Sequence, residues 1–130
     1  MRFFRDAGNI TMDLDDVEQI DLDALGGVDN LVVNDMTRTD LVTMNSDLEG
    51  AFGSGTGDGQ IDTVTVNGTN GDDAITVSGA AGSATVAGLA PTVNITSAEP
   101  TDRLVIDTLA GNDSVDSTGL APNTIELVVV

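Results

Sequence analysis

Along the chain, apolar residues fall at every second position over short stretches, each opened by an acid and closed by turn residues. Glu18-Gln19-Ile20-Asp21-Leu22, Asp29-Asn30-Leu31-Val32-Val33, Asp62-Thr63-Val64-Thr65-Val66 and Asp73-Ala74-Ile75-Thr76-Val77 share this form. Asp102-Arg103-Leu104-Val105-Ile106 and Asp113-Ser114-Val115-Asp116 repeat it. A period of two marks a strand with one buried face. One segment reads two ways. Thr39–Leu48 sets Leu41, Met44 and Leu48 at helical spacing while Val42, Met44, Ser46 and Leu48 alternate, so a short helix and a strand are both open there.

The segments are almost evenly spaced. Ile20, Leu31 and Val42 lie 11 apart, as do Val64, Ile75 and Val86, with a doubled step between Val42 and Val64. Ile95, Leu104, Val115 and Ile125 follow at steps of 9, 9, 11 and 10. A sandwich also spaces its strands by about 8–12 residues. Constant spacing with recurring turn chemistry favours a stacked repeat instead. The expectation is an all-β fold, a parallel β-solenoid of β-helix or β-roll type, with short strands and Gly/Asp-rich corners. Residues 1–49 form acidic N-terminal coils and residues 50–60 a Gly/Asp-rich loop. Residues 61–130 form C-terminal coils, the whole making one continuous domain. Gly88-Leu89-Ala90-Pro91 and Gly119-Leu120-Ala121-Pro122 read as corner punctuation, because Pro ends strand pairing. The apolar run Ile125–Val130 wants a neighbour, so the chain reads as a segment of a longer protein. Its open ends, as unpaired edges, invite self-association.

Composition narrows the chemistry. The 130 residues carry a net charge of −18 and contain no Cys and no His, and the four basic residues are all Arg. Thiol and imidazole catalysis, disulfides and ordinary zinc or haem sites are therefore excluded. So strong a negative field repels nucleic acid and anionic membrane surfaces, and no stretch approaches the roughly 20 apolar residues of a membrane helix. Aromatic residues make up 2% of the chain, too few for the platforms that sugar-processing sites use, so the expectation is a protein that is not an enzyme. A field of this sign suits divalent cations.

Gly27-Val28-Asp29, Gly59-Gln60-Ile61-Asp62, Gly71-Asp72-Asp73 and Gly111-Asn112-Asp113 each place a Gly just before an Asp and a strand. A Gly corner exposes carbonyl oxygens and the Asp adds a carboxylate, the oxygen-only donor set that Ca²⁺ prefers. The same Asp side chains also suit hydrogen bonds to their own turn backbone, so a structural role stands beside the metal one. With two strands per coil, Asp29, Asp73 and Asp113 share a side, too far apart to share an ion. With three, Asp29 neighbours Asp62, and Asp73 neighbours Asp102. The acids Asp13, Asp15, Asp16, Glu18, Asp21 and Asp23 read as a solvated strand face. Asn34, Asn45, Asn67, Asn94 and Asn112 read as turn residues or stacked amides.

Gly68-Thr69-Asn70-Gly71-Asp72-Asp73-Ala74-Ile75-Thr76 resembles the nonapeptide of RTX, or haemolysin-type, calcium-binding repeats, with Thr69 replacing the second Gly. Thr108–Asp116 is similar in its second half only, and neither copy stands in tandem. The resemblance implies Ca²⁺ held at Asn70, Gly71, Asp72 and Asp73 and at Gly111, Asn112 and Asp113. It further implies a secreted bacterial protein acting outside the cell or at its surface. Together these readings give a non-catalytic structural segment, bound to neighbouring coils of its parent and stabilised by calcium at Asp29, Asp62 and Asp102 as well. The alternative is an adhesin or surface-layer segment that binds a partner without metal.

Overall fold

The alternating segments do form strands. In the computed structural model, which describes residues 1–5 and 10–130, twelve strands and no helix occur among the described residues. In chain order they are β1 (Arg2–Arg5), β2 (Ile10–Asp13), β3 (Gln19–Asp23), β4 (Asn30–Val33), β5 (Thr43–Asp47) and β6 (Thr63–Asn67). Then come β7 (Ala74–Ala80), β8 (Ser83–Ala87), β9 (Thr92–Thr96), β10 (Arg103–Asp107), β11 (Ser114–Leu120) and β12 (Glu126–Val129). Thr39–Leu48 resolves as β5, with Met44 and Leu48 turned into the core.

Three sheets result. β1 and β2 form an antiparallel hairpin. β12, β10, β6 and β4 form a parallel four-stranded sheet, and β11, β7, β8, β9, β5 and β3 a mixed six-stranded one. From β3 onward the chain passes back and forth between the two larger sheets. Their inward side chains meet in one core: Val64, Val66, Leu104, Ile106 and Val33 from one sheet, Ile75, Val77, Val86, Val93 and Ile95 from the other. Branched side chains with stiff χ1 fill this layer between pleated surfaces without aromatic bulk. The core draws on residues from both sides of the 50–60 stretch, which carries no strand.

A repetitive parallel β-solenoid is therefore not the fold, and the reason lies in β8. Gly79 and Gly82, at φ +151° and +82°, turn the chain back on itself, and β8 pairs antiparallel with both β7 and β9. The even spacing in sequence does not correspond to an even spacing in space. Residues facing each other across the parallel pairs are separated by 23, 24, 33, 40, 41 or 49 positions. Val42, a mark on the 11-residue lattice, lies 63% exposed just before β5, and Val86 belongs to the reversed strand. The two Leu-Ala-Pro corners also differ: Pro91 precedes β9, whereas Gly119 and Leu120 end β11.

Candidate cation sites and the carboxylate ladders

The acids that open the strands stack where β4, β6 and β10 begin. The Asp29 amide donates to Asp62 Oδ1 at 2.8 Å, and the Asp62 amide donates to Asp102 Oδ1 at 3.0 Å. Asp102 Oδ2 takes the Glu99 amide at 2.7 Å. A second stack stands before β7 and β11, where the Asp73 amide donates to Asp113 Oδ1 at 2.9 Å and the Asn112 amide to Asp72 Oδ1 at 2.8 Å. Asp73 also closes its own turn, taking the Thr69 amide and hydroxyl at 2.7 and 2.9 Å. Asp58 and Glu99 extend the pattern, accepting the Gly27 and Gly59 amides. Amides at a strand entrance lack a ladder partner, and a buried amide must find one. Here a carboxylate from the adjoining strand supplies it.

Burial tunes these acids. Asp62 is 2% exposed and Asp102 1%. Desolvation pushes Asp62 up to about 6, and the nearby Asp102, Asp29 and Asp58 carboxylates add to the rise against the lowering effect of the Asp29 amide. Burial, then the charge on Asp58, raises Asp29 as well. Asp58 itself is lowered, chiefly by the Gly27 amide.

The expected calcium ligands are thus placed as follows. Asp29, Asp62 and Asp102 come together in one stack; Asp72, Asp73, Asn112 and Asp113 in another. Asp73 faces Asp113 and not Asp102. The Gly71 amide donates to the Thr69 hydroxyl, Asn70 stands exposed, and Gly111 takes φ +138° beside the Gly71 carbonyl, where a Cβ would clash. Calcium held at Gly/Asp turns to stabilise a solenoid is corrected on two counts. No regular solenoid exists, and among the described residues the acids at these turns do not converge as a group of three carboxylates. The adhesin or surface-layer alternative, which also presumes a repeat face, is corrected with it.

Two other acidic groups each bring three carboxylates together. Carboxylate oxygens of Asp23, Asp47 and Glu49 lie within 4.8 Å of one another, as do those of Asp15, Asp16 and Asp40. The first group is built by register. Asp23 closes β3 and faces Asp47 at the end of β5, and Glu49 follows two residues later, its amide donating to Asp47 Oδ1 at 3.1 Å. Glu49 is 4% exposed, and its carboxylate takes the Gly53 and Gly55 amides at 2.6 and 2.9 Å, folding the Gly-rich loop around it. The second group is fully exposed and shares a small depression of about 70 Å³ with Arg38. Both groups offer only oxygen donors, suited to a hard divalent cation. Sequence reasoning read Asp15, Asp16 and Asp23 as part of a solvated strand face and did not single out Asp40, Asp47 or Glu49, since each group is assembled from separate segments. The acid at Glu49, immediately before ten residues rich in Gly, was the available signal.

A larger open hollow of about 480 Å³ runs between the 55–57 loop and the β8 turn, edged by Ser83, Ser97 and Glu99. The Glu99 carboxylate on its rim is already engaged by the Gly59 amide. Asn side chains join strands elsewhere: Asn94 to Asn45 and Asn45 to Asp21, and Asn67 to Asn34, at 2.7–2.9 Å. The hydrogen bonds from Asn45 and Gln19 hold the Asp21 carboxyl below the usual range.

Comparison with protein-family models, with curated proteins and with solved structures gives no match. The RTX resemblance rests on the sequence of Gly68–Thr76 and, in its second half, of Thr108–Asp116.

Proposed function

We propose that the chain is a non-catalytic, calcium-binding β-domain whose principal site is Asp23, Asp47 and Glu49. The observation that carries this reading is the convergence of three carboxylates with no compensating cation. Among the described residues the one ion pair joins Arg103 to Glu126 at 3.0 Å, on another strand pair. Mutual repulsion at that spacing is relieved by an ion that takes about six to eight oxygens at roughly 2.3–2.6 Å. Asp15, Asp16 and Asp40 form a weaker, more exposed second site, with Arg38 as a competing cation. Action outside the cell, where calcium is plentiful, belongs to the same reading and draws only on the RTX resemblance.

A bound ion would tie β3 to β5 and fix the Gly50–Gly59 loop from its first residue. At a free-ion concentration tenfold above Kd it would stabilise the fold by about 1.4 kcal/mol. Titration calorimetry with CaCl₂, with MgCl₂ as control, tests this. Saturable calcium binding that is lost in the Asp23→Asn/Asp47→Asn double variant and retained in Asp73→Asn is the expected result. Binding that survives the double variant would refute the assignment.

A further inference from the structure

Along the β4–β6–β10 sheet the carboxylate ladder has a direction, whereas before β7 and β11 the contacts run both ways, the Asn112 amide donating back to Asp72. In each of five contacts the amide of an earlier segment donates to the acid of a later one: Gly27 to Asp58, Asp29 to Asp62, Gly59 to Glu99, Asp62 to Asp102, and Asp73 to Asp113. Along the parallel sheet this leaves the two ends unlike. At the β4 edge, Asp29 has no strand before it. Its Oδ2 is buried and has no hydrogen-bond partner, and burial raises its pKa. At the β12 edge, Ile125 occupies the place that Asp29, Asp62 and Asp102 hold on the other strands, and its amide takes no acceptor among the described residues.

The inward positions tell the same story. Leu31, Val64, Leu104 and Leu127 stand in one row across the sheet. Val64 and Leu104 are fully buried, whereas Leu31 and Leu127 at the two edges are only half-buried. One edge therefore lacks a donor and an apolar neighbour; the other lacks an acceptor and an apolar neighbour. The two edges complement each other.

We propose that the β4 edge of one copy takes the β12 edge of a second copy as a parallel strand, head to tail. The amide of Ile125 then donates to Asp29, Leu127 packs beside Leu31, and Glu126 falls opposite Asn30, continuing the register of the sheet. Such a contact uses different surfaces on the two copies and leaves both outer edges open, so it grows into linear stacks. Repulsion between chains of charge −18 opposes it, and salt relieves that repulsion.

Because the chain has no Cys, engineered cysteines report the pairing cleanly. Asn30→Cys and Glu126→Cys replace exposed residues whose backbones would lie within the roughly 4.4–6.8 Å Cα span of a disulfide. In EGTA, with the fold of each variant checked by circular dichroism, oxidation of the mixture should give a disulfide-linked dimer that neither variant gives alone. Sedimentation of the wild-type chain should show mass rising with concentration and with NaCl. Asp29→Ala should move that rise about tenfold higher in concentration, the loss expected for one hydrogen bond to a charged group. A crosslink formed as readily by Asn30→Cys alone, or a monomer at every concentration and salt, would overturn the proposal.

Discussion

Two acidic regions of this molecule use the same side chains to opposite ends. In the ladder of Asp29, Asp62 and Asp102, the later carboxylates point at amides, so burial is tolerated because each amide meets an acceptor. In the cluster of Asp23, Asp47 and Glu49, three carboxylates lie within 4.8 Å of one another; Asp47 takes the Glu49 amide and Glu49 the Gly53 and Gly55 amides, but among the described residues no basic side chain pairs with them. What separates structural acids from candidate ligands is therefore the convergence of three carboxylates, since acids in both regions accept backbone amides. Density of acidic residues does not distinguish them, since both regions are dense.

The strongest way to break that comparison is to remove the most connected ladder acid. Asp102→Ala strands the buried Asp62 amide and the Glu99 amide together. Two hydrogen bonds to a charged group, with their donors left desolvated, correspond to a loss of about 3–5 kcal/mol, read by urea unfolding. A loss below about 1 kcal/mol would mean that the ladder is incidental to stability.

The next effect is one of pH. Asp62 binds its proton more tightly in the folded state, with a pKa raised to about 6, than in the unfolded chain. Between about pH 4 and 6 the folded state thus holds more protons, and stability falls as pH rises through that window. The raised Asp29 acts in the same sense. Asp21, Asp58 and Asp116, lowered by their hydrogen bonds, act oppositely, adding stability that is lost as pH falls below the usual carboxylate value. Melting temperature should accordingly peak at about pH 4–5. Asp62→Asn, which keeps an acceptor for the Asp29 amide, should flatten the decline toward pH 8. It should also raise stability there by about 2 kcal/mol, the scale of a shift of some two pKa units less the partial loss of hydrogen-bond strength. A melting temperature that climbs steadily from pH 5 to 8 would contradict this.

Strand existence was legible in the sequence because alternation is a local signal: Val64 and Val66, or Ile75 and Val77, lie inward as their spacing requires. Pairing was not legible. Parallel neighbours are chosen by which rows of side chains close one core, and the connections between them vary with whatever loops the chain can carry, so Asp73 meets Asp113, two coils away in a two-strand coil, and not the Asp102 that a three-strand coil would place beside it. The reversal at β8 was equally hidden, since Ser83–Ala87 alternates like any other strand and only its Gly-flanked turn sets its direction. The cation cluster depends on the β3–β5 register, so it became visible only with the pairing.

A third effect is smaller. Calcium at tenfold excess over Kd should raise stability by about 1.4 kcal/mol in the wild type and leave the Asp23→Asn/Asp47→Asn variant unmoved. In EGTA the variant itself should be as stable as the wild type or slightly more so, because removing two like charges relieves repulsion. A calcium response of equal size in both proteins would return the ladder to consideration as the binding region.

The smallest effect isolates what an unpaired polar group costs when charge is absent. Ser46 lies in β5 between Met44 and Leu48, 1% exposed, and its hydroxyl has no hydrogen-bond partner. Unlike the ladder acids it receives no amide, and unlike the cluster it cannot recruit an ion. Its hydroxyl is desolvated on folding without a replacement bond, at a cost of about 1 kcal/mol. Ser46→Ala should therefore stabilise the protein by up to that amount, measured by urea unfolding at constant slope. Destabilisation by the same change would mean that the hydroxyl fills a need the ladder principle does not cover.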